Sequence, residues 1–76
     1  MNEPVIFLHG FSREQLIAVM RAAKKAAAEA GMEPSSIAFA SSTPNNLGWT
    51  VKDLIREVRE EHEYMQNNPP PPGAAG

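Results

Sequence analysis

The apolar positions of this chain fall into separate runs, and their spacing changes from run to run. The first run, Val5 to Leu8, is continuous and rich in β-branched and aromatic residues, behind a Pro4 that has no N–H to donate. It predicts a short strand, "PVIFLH". Val5 and Phe7 point to one side, Ile6 and Leu8 to the other, so both faces are apolar, as in a strand covered on both sides. From Ser12 the period lengthens. Leu16, Met20, Ala23, Ala27 and Ala30 recur at helical spacing, with Ile17 and Val19 widening the stripe. Ser12 and Gln15 form a capping box at the start of this helix, and Gly31 ends it as a C′ residue. Its many alanines favour helix by propensity and allow close packing on a sheet.

"SIAFAS" (Ser36 to Ser41) is the second strand, its large and small residues in alternation, with Ile37 and Phe39 on one face and Ala38 and Ala40 on the other. A polar loop follows. Thr50 then caps a second helix, with Asp53 as its capping partner and Val51, Leu54, Ile55 and Val58 as its apolar stripe. Arg56–Glu60 and Arg59–Glu63 lie one turn apart with opposite charge, as on a solvated face. Past Met65 the chain turns to "NNPPPPGAAG", which excludes helix and sheet pairing. A single domain over residues 1–66 and a disordered, dispensable tail over 67–76 are expected.

The order is thus β-α-β-α, an α/β unit with two parallel strands and a right-handed crossover. Two strands alone leave both sheet edges unpaired, and so small a sheet is marginal in water. Homodimerisation into a larger sheet is therefore expected, either edge to edge or through the Ala38/Ala40 faces.

Composition narrows the function classes. Seventy-six residues suffice for one small domain, and 42% hydrophobic residues suit a folded one. A net charge of −2 with mixed signs offers no attraction to nucleic acid or to an acidic membrane. The absence of cysteine removes disulfides, thiolate metal sites and cysteine nucleophiles. No secretory leader and no membrane-length apolar stretch is visible, so a soluble cytoplasmic protein without a cofactor is expected.

"VIFLHGFS" resembles the strand that opens an α/β-hydrolase. Acyl transfer in that class needs a Gly-x-Ser-x-Gly elbow, a distal acid and a large sheet. The chain has no such elbow and only two strands, so His9-Gly10 reads as a strand end turning into a capped helix, and no enzyme is expected.

The second connection, "SSTPNNLGWT", is long and rich in turn residues. Together with the helix after it, "TPNNLGWTVKDLIREVREEH" resembles the signature of a bacterial family known as domain of unknown function three-seven-eight-three. Thr43, Pro44, Asn46, Trp49, Thr50, Leu54, Glu61 and His62 match it, and Gly10-Phe11-Ser12 with Leu16 are similar in the front half. The resemblance runs from about Val5 to His62. It implies an α/β domain and no particular activity.

Parallel strands end on the same side, where open α/β sheets bind ligands. His9, Ser12, Ser42, Thr43, Asn45, Asn46, Trp49 and Thr50 would gather there, and helix-start amides could hold an anion. The alternative use of Ser12, Thr43, Asn46 and Thr50 is to cap helices and satisfy loop backbone. Trp49 suits packing across the first helical turn better than stacking on a ligand. His62 borders the core face as a hydrogen-bonded structural residue, without a ligand set for metal. Arg21, Lys24 and Lys25 read as a solvated patch. A non-enzymatic interaction or regulatory module, as a homodimer or with a protein partner, is the expected function; a small-ligand or anion-binding domain is the alternative.

Overall fold

A computed structural model describes residues 3–67, and the expectation of a disordered tail falls on residues most of which lie outside that span. The elements are β1 (Val5–Leu8), α1 (Arg13–Glu29), β2 (Ala38–Ser41) and α2 (Val51–Asn67), with single 3-10 turns at Pro34–Ser36 and Asn46–Gly48. The β-α-β-α order is as the hydrophobic pattern predicts. β1 and β2 pair in parallel, Val5 beside Ala38 and Leu8 beside Ser41.

β2 begins two residues later than the alternation suggests. Pro34 opens a 3-10 turn that Glu33 caps, its carboxylate accepting from the Ser35 N–H and hydroxyl. The Ile37 N–H donates back to the Pro34 carbonyl, at 3.3 Å, and is lost to the ladder. Ala38 is the first to reach the neighbouring strand, donating to the Pro4 carbonyl at 3.1 Å.

Partners in a parallel register share a face, so Leu8 and Phe39 point one way and Phe7, Ala38 and Ala40 the other. α1 covers the first face, where Leu16 and Met20 border one small cavity with Leu8 and Phe39. α2 covers the second. Ala38 is 0% exposed and Val58 is buried, because two alanine methyls let the helix sit close. The strands are therefore sandwiched, as the doubly apolar β1 requires. On this face Ala38 is buried within one chain, while Ala40 stays half-buried.

Both bonds of the Ser12–Gln15 capping box are present, at 2.9 and 3.2 Å. At the other end Gly31 has φ +85°; its N–H reaches the Ala28 carbonyl and that of Met32 reaches Ala27, a Schellman closure. The buried stripe of α1 is narrower than its sequence implies. Ala27 is buried and Leu16, Val19, Met20 and Ala23 are half-buried, whereas Ile17 and Ala30 are exposed.

α2 departs further. Thr50 accepts from the Asp53 N–H at 3.1 Å, but the Asp53 carboxylate pairs with Arg56 at 3.3 Å, so only half of that capping box forms. Val51 and Ile55 are exposed, and the buried side is centred on Val58 and Arg59. Arg59, expected in a solvated pair with Glu63, is only 6% exposed and donates to the carbonyls of Ser36 and Pro4 at 2.8 and 3.3 Å. His62 Nε2 and Gln66 Nε2 both donate to the Ser35 carbonyl, at 2.9 and 2.8 Å. Three side chains one helical row apart thus take up carbonyls of the 3-10 turn. That docking rotates the helix away from the face its aliphatic residues define. It also makes His62 the structural histidine expected of it. Arg56 pairs with Asp53 and Glu57 and not with Glu60.

Candidate functional site

The carboxyl ends of the two strands do bring the loop residues together. His9 Nδ1 shares a hydrogen bond of 2.8 Å with the Ser42 hydroxyl, tying the first βα connection to the second. Gly10 turns the chain towards α1 at φ +87°. Within the second loop Thr43 and Asn46 cap each other. The Thr43 N–H donates to Asn46 Oδ1 at 2.8 Å, and the Asn46 N–H donates to Thr43 Oγ1 at 3.1 Å. This is the capping-box logic applied to a single turn. The Asn46 amide also donates to the Ser41 carbonyl at 3.2 Å.

Ser12, Thr43, Asn46 and Thr50 are therefore all engaged in local backbone capping. Asn45 stands before the 3-10 turn and makes no side-chain capping bond. Trp49 ends the loop 39% exposed, beside Thr50.

The Ser42–His9 pair has the separation of a nucleophile and its base, and because the two residues sit on different loops no local spacing encodes it. Chemistry would further need a group to orient the imidazole and donors for an oxyanion. His9 is exposed, and among the described residues no carboxylate bonds to it. The contact ties the two βα loops together. Among the described residues no group of three or more His, Asp or Glu side chains could hold a metal, and no helix is long and apolar enough to cross a membrane.

A second feature lies along the outer edge of β2, away from β1. Three cavities share Phe39 and Ala40 in their linings. The largest, about 440 Å³, runs between the edge and Trp49, Glu57 and Glu61. Another, about 300 Å³, is walled by Met20 and Lys24 of α1 and by Val58, His62 and Met65 of α2. The Lys24 ammonium sits 5.7 Å from the centroid of the Phe39 ring, so this lysine partly leaves the solvated patch to form a cation–π contact. The edge of β2 is thus the floor of a groove between two helices. Trp49 lines the largest of these cavities together with Thr43 and Asn46 of the loop.

The groove was not foreseen from the sequence. An edge and its flanking walls come from α1, β2 and α2 at once, and no local pattern encodes their juxtaposition.

A family model described as Domain of unknown function (DUF3783) matches residues 4–65, which takes in all four elements except the last two residues of α2. No curated protein and no solved structure matches the chain.

Proposed function

The chain belongs to the family described as Domain of unknown function (DUF3783), and for this member we propose a non-enzymatic interaction module that works through the free edge of β2. The observation that carries it is the groove: an unpaired strand edge with Phe39 at its centre and Met20, Trp49, Val58 and Met65 along its walls. An exposed edge is a template for another strand, whose backbone supplies affinity while flanking pockets select side chains. The rim residues favour this use over ligand capture. Ser12, Thr43, Asn46 and Thr50 are hydrogen-bonded to their own loops and helix starts, which leaves fewer groups for an anion.

NMR spectra of the 15N-labelled chain test the proposal in three series: rising protein concentration, an added pool of extended peptides, and phosphate-containing metabolites. Shifts confined to Phe39, Ala40, Ser41 and the groove walls, in either of the first two series, are the expected result. Shifts at His9 and Ser42 with phosphates would favour the ligand-binding alternative. Silence at β2 in the first two series would overturn the proposal.

A further inference from the structure

The direction of each backbone group along β2 follows from two hydrogen bonds. Ala38 and Ser42 donate to the Pro4 and Leu8 carbonyls, towards β1. A trans peptide points its carbonyl opposite to its N–H, so the Ile37 and Ser41 carbonyls face outward. By the same alternation Phe39 turns both its N–H and its C=O outward, and Ser41 its N–H. Two groups near this edge already have partners. The Ser41 carbonyl accepts from Asn46, and the Ile37 N–H donates to Pro34. Four have no partner among the described residues: the carbonyls of Ile37 and Phe39 and the N–H groups of Phe39 and Ser41.

That set is self-complementary. We propose that a second copy of this chain occupies the groove, its β2 antiparallel to the first about a two-fold axis beside Phe39. This rests on the edge-binding role proposed above and names its occupant. In this register each Phe39 exchanges both bonds with the other, and each Ser41 N–H meets an Ile37 carbonyl. The two groups that already have partners, Ile37 N–H and Ser41 C=O, fall opposite one another, where they are not needed. Moving the axis to Ala38 or Ala40 would pair only half of the free groups. The product is a four-stranded sheet, β1-β2-β2-β1, with α1 beside its copy on one face and α2 beside its copy on the other.

The need for such a partner is visible in the core. Among the described residues only Leu8, Ala27, Ile37, Ala38 and Val58 are buried hydrophobics, and no large side chain is fully enclosed. Small chains without disulfides or metals commonly gain the missing burial from a second subunit. Around the groove Met65 is 52% exposed and Trp49 39%, apolar surface that a second copy would cover.

Sedimentation over the micromolar range, with amide hydrogen exchange read by NMR on the full chain, decides it. The expected species has twice the 8.3 kDa chain mass, and the Phe39 and Ser41 amides are protected in it and lose that protection on dilution. Ser41→Pro removes one outward N–H, a change that edge strands tolerate; the folded variant should dimerise at least about tenfold more weakly, one to two hydrogen bonds' worth. Because the chain has no cysteine, Phe39→Cys should cross-link across the axis, where paired Cα atoms lie ~5.5 Å apart. Ser41→Cys should not, its copies being ~14 Å apart. A monomer at every concentration would overturn the inference, as would a dimer whose Phe39 and Ser41 amides exchange freely. If a monomeric chain still protects those amides with an added extended peptide, the second copy is ruled out while the interaction module stands.

Discussion

Arg59 is the residue whose environment differs most from its sequence context. It lies among acids on an apparently solvated helix, yet its guanidinium is buried against the carbonyls of Ser36 and Pro4. Its Nε is buried without a partner, so the charge is incompletely compensated. Arg59→Met keeps the stem packing and removes both bonds. The Pro4 carbonyl still accepts from Ala38, so most of the loss falls on Ser36, and part of it is offset by no longer burying a charge. Urea unfolding should register a loss of about 1–3 kcal/mol. His9 and Ser42 give the opposite kind of prediction. If their 2.8 Å contact is a latch and not a dyad, the chain will hydrolyse p-nitrophenyl acetate no faster than its Ser42→Ala variant. A clear Ser42-dependent rate would reinstate acyl transfer.

At the scale of elements, helix ends are where local chemistry is most decisive. α1 starts on a two-bond capping box and stops on Gly31, whose φ of +85° an L side chain resists. A Cβ at Gly31 would meet nothing within 4 Å, so the effect of Gly31→Ala is purely conformational. It should destabilise the protein by about 1 kcal/mol, measured at fixed concentration. α2 is positioned differently. Its aliphatic residues Val51 and Ile55 remain exposed because Arg59, His62 and Gln66 fasten the helix to the 3-10 turn before β2. Polar side chains taking up orphan carbonyls, with Val58 buried beside Arg59, choose which side of this helix faces the sheet.

For the whole molecule the governing quantity is edge. Two strands buried on both faces by two helices still present two open edges, and the one on β2 is bordered by apolar walls. If dimerisation supplies part of the folding free energy, the unfolding midpoint must rise with protein concentration by mass action. Thermal melts spanning a hundredfold range in concentration should show that rise, and a constant midpoint would mean the monomer is self-sufficient. Lys24 and Glu61 both line the cavity beside Phe39, so in the proposed dimer each would approach its own copy near the axis. Screening of these like charges should make added salt strengthen the dimer, visible as a smaller dissociation constant in sedimentation.

Element order, strand direction and helix ends were legible in the sequence because each depends on neighbours within a few residues. Short apolar runs of strand-forming residues marked β1 and β2, the 3.6-residue period marked α1, and Ser12, Gln15, Gly31 and Thr50 marked where helices begin and stop. That Thr43 and Asn46 satisfy loop backbone was one of the two uses the sequence left open, and the structure shows them doing so on each other. Family membership was likewise visible in the Thr43-to-His62 segment. Only the tertiary structure decided the rest. The carbonyls that Arg59 serves belong to residues 55 and 23 positions away in sequence, and the His9–Ser42 contact spans 33. Which backbone groups of β2 stay free depends on the partner strand taking one set and on Asn46 and Pro34 taking two more. Hydrogen-bond direction along a strand acquires meaning only once its neighbours are in place, so the groove and its donor–acceptor pattern exist in the folded chain and not in any segment of it.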